Sequence, residues 1–251
     1  MKNSRLLILL FLLFFSSGQV LLAQQTTVLL LPTIHRLHEK NPNYTYLDVQ
    51  QIISGFKPDM IAIEIRPEDM EQDSLYLKQF YPPEMIQTRN KFPGIKKVGI
   101  DFYGQEVQNK LMKLDFFKDP TTELGKLKQV EKQMNGDSTL QELRKKEGII
   151  RLQEEQVRML SNSSANELMA GRYDDNVRQY YSKLSGIWNR TGYSWYESFN
   201  TGRDQEISNN IRKLIQQNPG KRIIVLIGAN HRNRAVESVE SMKGVKLITR
   251  I

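Results

Sequence analysis

Five short apolar runs punctuate this sequence: Thr26–Leu31, Asp59–Ile65, Lys97–Asp101, Arg222–Gly228 and Val245–Thr249. None alternates cleanly between apolar and polar residues. The first run is consistent with a buried strand, and the others read as further strands, Arg222–Gly228 the strongest of them. The stretches between them carry helical stripes. Val49, Ile52, Ile53 and Phe56 recur at helical spacing, as do Ile207, Ile211, Leu214 and Ile215, and then Ala235, Val236, Val239 and Met242. Gly55 and Pro58 are predicted to close the first of these helices, and Asn218-Pro-Gly220 the second. Strands alternating with helices predict an α/β fold with a mainly parallel sheet flanked by helices.

The middle of the chain reads differently. Leu124–Glu167 is rich in Lys, Glu, Gln and Leu, with breaks at Asn135-Gly136 and Ser161–Ser164. Residues of about 105–200 are therefore expected to be a helical insertion forming a cap, within one domain spanning 24–251. At the other extreme, Lys2 and Arg5 precede the apolar run Leu6–Phe15, and a small residue, Ala23, precedes a polar stretch. This pattern predicts a secretory signal over residues 1–23 and export to a bacterial periplasm or the extracellular space. No later run reaches spanning length, so the mature chain is expected to hold no transmembrane segment.

In open parallel sheets, ligands bind beyond the carboxyl ends of the strands. His35 follows the first run, Glu64 lies at the end of the second, Asp101 ends the third, and Gly228-Ala-Asn-His231 follows the fourth. Four acid–base or metal-ligating residue types thus fall on one expected rim. Glu64 stands among isoleucines, where a carboxylate is costly unless paired with Arg66 or Arg203, or bound to a cation. Arg203 and Asp204 are expected at the start of the helix carrying Ile207, with Asp204 as its N-cap. His38, three residues after His35, shares its face of any helix there. Asn230, in the fourth motif, is a further candidate to contact substrate.

Cysteine is absent, which excludes disulfides, a thiolate nucleophile and Cys-based metal sites. The chain has no Gly-x-Ser-x-Gly, His-Glu-x-x-His, Walker A or dinucleotide-binding glycine pattern. The formal net charge is +8. Residues 203–251 hold 10 basic and 4 acidic side chains, whereas 24–202 are balanced. Arg203, Arg232 and Arg234 are therefore expected to flank the site and favour an anionic group, rather than to form a nucleic-acid footprint.

Val28–His35, Pro58–Glu64, Arg203 before a helix, and Val225–His231 together resemble the TraB/GumN-like group, which includes the TIKI proteases. Its wider superfamily takes in erythromycin-esterase-like enzymes and haem-binding ChaN-like proteins. The group's paired Gly-x-x-His motifs map to Pro32–His35, where Pro32 replaces glycine, and to Gly228–His231. The resemblance implies an α/β fold with two pseudo-symmetric terminal blocks. It also implies metal-dependent hydrolysis of a peptide, amide or ester, with His35, Glu64 and His231 holding zinc, manganese or cobalt. Arg203 would then stabilise an oxyanion or hold a substrate carboxylate, and Asp101, Asn230, His38, Arg66 and Asp204 would support the ligands or contact a small-molecule or peptide substrate. Three other readings stay open: metal-free hydrolysis with a histidine and Glu64 activating water, non-catalytic binding of haem or another anionic small molecule, and a purely structural polar network.

Overall fold

The longest apolar run among the five expected strands, Ile223–Ile227, becomes the core of the central strand. In the computed structural model, which describes residues 25–251, the strands are β1 (Thr26–Thr33), β2 (Met60–Ile63), β3 (Lys96–Gly99), β4 (Arg222–Gly228) and β5 (Val245–Ile248). They form one sheet in the order β3-β2-β4-β1-β5, and every pairing is parallel. This is the expected fold class. The secretory signal expected over residues 1–23 lies outside the described residues. No helix among the described residues is long and apolar enough to cross a membrane.

The three central strands are buried on both faces, which explains why they read as unbroken apolar runs, whereas the edge strands β3 and β5 are only partly buried. Leu29, Leu31, Ile61, Ile63, Ile224 and Leu226 face one core. Val28, Leu30, Met60, Ala62, Ile223 and Val225 face the other. Helices α1 (Tyr46–Phe56), α2 (Ser74–Leu77) and α3 (Pro83–Asn90) contribute to the first core through Val49, Ile53, Leu77, Met85 and Ile86. The start of α1 is set by a capping box, Thr45 with Asp48. Its end is not set by Gly55, which lies within the helix. Lys57 closes it in the left-handed conformation, at φ 50°.

The middle segment is helical: α4 (Glu123–Gly136), α5 (Ser138–Lys146), α6 (Ile149–Asn162), α7 (Ala165–Met169) and α8 (Arg172–Thr191). The two expected breaks fall within a residue of where the sequence places them, at Asp137 and at Ser163-Ser164, and two more occur at Glu147-Gly148 and Ala170-Gly171. Asp137 caps α5, and Ser164 with Glu167 forms the capping box of α7. Met134, Leu140, Ile149, Leu184, Ile187 and Trp188 form a separate small core within these helices.

Helix α9 (Ser194–Gln217) joins the two regions. Its first half packs Tyr196 on Trp188 in the helical core. Its second half lays Ile207, Ile211, Leu214 and Ile215 on the sheet, beside α10 (Ala229–Glu240). Arg203 and Asp204 sit where the helix passes from one core to the other. They are mid-helix residues, not the helix start, and Asp204 is not an N-cap.

Candidate active site

Strands β1, β4 and β2 are neighbours, so the residues that follow them converge. A cavity of about 740 Å³ opens at their carboxyl ends, and His35, Glu64, Asp101, Arg203, Asn230 and His231 all line it.

Glu64 immediately follows β2 and is almost fully buried. Its Oε2 accepts from the Gly228 N–H at 2.5 Å, and its Oε1 lies 3.1 Å from Arg203 Nη2. Burial alone would raise its pKa. His231, Arg203 and His35, with the Gly228 N–H, hold it below the usual carboxylate range instead. The close approach of backbone explains Gly228: a Cβ there would stand 3.2 Å from Glu64 Oε2 and 3.3 Å from His35 Nε2.

Arg203 is the hub. Its Nε and Nη2 each donate to Asp101 at 3.0 Å, and Nε also reaches the Phe102 carbonyl. Nη1 lies 3.1 Å from His231 Nε2, and the guanidinium rests over the Tyr103 ring, 5.0 Å from its centroid. Asp101 is therefore the residue that aims Arg203. Burial raises the Asp101 pKa, and with the charge of Glu64 it outweighs Arg203.

Each rim histidine has its own carboxylate. His231 Nδ1 donates to Asp204 at 2.5 Å. His35 Nδ1 donates to Glu84 at 2.8 Å, and Glu84 is wholly buried. The register pairs Thr33 with Gly228, so the two histidines leave adjacent strands at one level. They differ in what their Nε2 atoms meet. His231 Nε2 faces Arg203, whereas the His35 side chain keeps 50% of its surface exposed. His35 also turns back at φ 53°, a left-handed conformation costing about 1–2 kcal/mol outside glycine. Burial would lower the pKa of both rings. The hydrogen bond and charge of Glu84 raise that of His35 above the ordinary value, and Glu64 with Asp204 does the same for His231.

Three expected site residues do not line the cavity, and one of them, Asp204, holds His231 while lining a different cavity. His38 is buried, with Nδ1 donating to the Tyr44 carbonyl and Nε2 accepting from the Ile34 N–H, so it pins the loop after β1. Arg66 points away from Glu64 and binds the Val107 and Lys110 carbonyls, Glu68 and Asp69. Asn230 lines the cavity, with its side-chain oxygen accepting from Tyr173. Arg232 does not flank the site. It is buried in an ion pair with Asp174 and donates to the Leu30 carbonyl. Arg234 pairs with Glu237 and lines a different cavity. Glu84 was not among the expected residues: as a first-turn acid after Pro82-Pro83, it looks like any helix-start carboxylate.

The donor set does not fit a shared divalent cation as arranged. Arg203 meets both His231 Nε2 and Glu64 Oε1 at 3.1 Å, so a positive group already fills the position from which a metal would reach both. Among the described residues no group of three or more His, Asp or Glu is placed to hold a metal ion. No family model, curated protein or solved structure matches the chain.

Proposed function

We propose that the chain is an exported hydrolase of ester or amide bonds that activates water with His35 and needs no metal. The observation that carries this reading is the Glu84–His35 pair. Its Nδ1 is tied to a wholly buried carboxylate, and its half-exposed ring opens onto the cavity. A carboxylate that fixes the ring orientation and leaves Nε2 as a free acceptor is the arrangement of a general base. His35 Nε2 would take a proton from water as the water oxygen attacks the substrate carbonyl carbon. The tetrahedral centre then collapses, the bond to the leaving group breaks, and His35 returns the proton to that group.

Charge that builds on the carbonyl oxygen would meet two sources of positive potential. One is Arg203, whose cation is held at the cavity wall by Asp101 and Glu64. The other is the start of α10, where Ala229, Asn230 and His231 line the cavity. The first N–H groups of a helix have no acceptor within it. The cavity's apolar walls, Leu37, Phe80, Met85 and Leu160, suit a substrate with hydrocarbon beside its scissile bond. The resemblance to the TraB/GumN-like group supports hydrolysis, and its erythromycin-esterase-like relatives support the metal-free form.

Purified protein assayed on a panel of 4-nitrophenyl esters and anilides, with and without EDTA, tests the proposal. Turnover that survives chelation and falls by about 10²–10⁴-fold in His35→Ala is expected. Activity lost with EDTA and restored by zinc, manganese or cobalt would replace it with the metal-dependent reading. Absence of turnover across the panel would remove hydrolysis.

A further inference from the structure

The cavity holding His35 continues past it. It shares Arg36, Lys78, Tyr81 and Pro82 with an adjoining cavity of about 380 Å³, completed by Pro83, Ile86 and Gln87. Arg36 and Lys78 thus stand on the border between the reacting groups and an apolar groove. They are unlike the other cations nearby. Arg66 and Arg232 are buried against carboxylates, Arg203 is largely buried against Glu64 and Asp101, and Arg234 pairs with Glu237. Arg36 and Lys78 are exposed, and among the described residues neither has a carboxylate within ion-pair distance.

Arg203 is spent on Glu64 and Asp101, which leaves Arg36 and Lys78 as the lining cations open to an incoming anion. A single carboxylate, with two oxygens, can accept a hydrogen bond from each. Arg36 directly follows His35, so an anion it holds lies close to the bond being attacked. Beyond it the groove offers Pro83 and Ile86 to hydrocarbon.

From these observations we infer that the substrate is an amphiphilic monocarboxylate: an ester or amide with a carboxylate near the scissile bond, held by Arg36 and Lys78, and an aliphatic arm in the Pro83–Ile86 groove. This rests on the hydrolase reading for the word substrate, but the binding site it names can be tested without turnover.

Calorimetric titration with three probes does so: hexylsuccinic acid monoamide, its neutral diamide, and the methyl-armed monoamide. The hexyl monoamide is expected to bind at least about tenfold more tightly than either of the others, the difference one charge-assisted hydrogen bond or a few buried methylenes supplies. Arg36→Ala and Lys78→Ala alter exposed side chains and leave the fold intact. Each should erase the preference over the diamide and keep the preference over the methyl compound. Equal binding of monoamide and diamide, no binding of any probe, or a preference unchanged in both variants overturns the inference. The 4-nitrophenyl ester of the same acid separates the two claims. Selective binding without turnover removes the hydrolase reading and leaves the cleft assignment standing, whereas turnover without selectivity does the reverse.

Discussion

Arg203 Nη1 lies 3.1 Å from His231 Nε2, and a guanidinium has only hydrogens to offer there. Nε2 must therefore present its lone pair, and the ring proton belongs on Nδ1, facing Asp204. The same logic holds for the other two histidines of the chain. His35 Nδ1 faces the Glu84 carboxylate, and His38 Nδ1 faces a carbonyl while its Nε2 accepts a backbone N–H.

All three neutral rings should accordingly be the Nδ1–H tautomer. With three histidines in the sequence, a long-range proton–nitrogen NMR spectrum taken on the alkaline side of their titrations resolves each. A His231 ring protonated at Nε2 would mean that Arg203 does not approach it in solution.

Both carboxylate oxygens of Asp101 accept from the Arg203 guanidinium, and each of the two side chains is largely buried. Removing one member of a buried pair leaves the other charge uncompensated, at a cost of about 3–5 kcal/mol. Glu64 still touches Arg203, so Asp101→Ala should lose stability at the lower end, about 3 kcal/mol by urea unfolding. Asp101→Asn keeps one acceptor and should lose less. A loss in Asp101→Ala under about 1 kcal/mol would show that the pair is solvent-screened in the manner of a surface bridge.

The pH dependence follows from His35. Its pKa is raised by Glu84 and Glu64 against burial and Arg203, and a general base must be neutral to act. The kcat/KM profile should rise with pH and inflect above the ordinary histidine value of about 6.5. Glu84→Gln should move that inflection downward. Stability carries the opposite sense. A histidine whose folded pKa is raised stabilises the fold fully below its unfolded pKa, and that contribution fades as pH climbs through the folded value. The gap in unfolding free energy between wild type and Glu84→Gln should thus be larger at about pH 5.5 than at about pH 8.5. An inflection that ignores the substitution would place the titrating base elsewhere.

The sheet was legible because burial on both faces leaves a direct mark on composition: Arg222–Gly228 and Thr26–Leu31 can be little else. The rim was legible for a related reason, since a parallel sheet collects whatever follows its strands, and His35, Glu64, Asp101 and His231 each follow one. What was not legible depends on distant pairing. Arg203 and Asp204 resemble a helix start in sequence, yet their side chains are spent on Asp101 and His231, and α9 runs through them. Glu84 and Glu64 are both buried carboxylates, but only Glu64 advertises it, by standing among isoleucines. The basic excess of the last 49 residues misled for the same reason, because Arg232 is consumed inside the fold by Asp174.

Gly228 is where the two halves of the site touch. Its φ of −55° and ψ of 136° are open to any residue, so backbone conformation does not demand glycine there. Space does: an alanine methyl would sit 3.2 Å from Glu64 Oε2 and 3.3 Å from both His35 Nε2 and Cε1. Glu64 cannot retreat without loosening its 2.5 Å bond from the Gly228 N–H, so His35 must swing toward the open cavity. Gly228→Ala should therefore cost about 1–3 kcal/mol of stability, as overpacking does, and about 10²-fold in kcat/KM, the usual penalty for a reacting group displaced by an ångström. Gly186→Ala is the control, at a position in α8 where a Cβ meets nothing within 4 Å. It should gain roughly 0.5–1 kcal/mol from helix propensity and leave turnover untouched. If Gly228→Ala instead kept its full kcat/KM, the meeting of His35 and Glu64 at that Cα would have no part in the chemistry, and the base would have to be sought among the other groups on the rim.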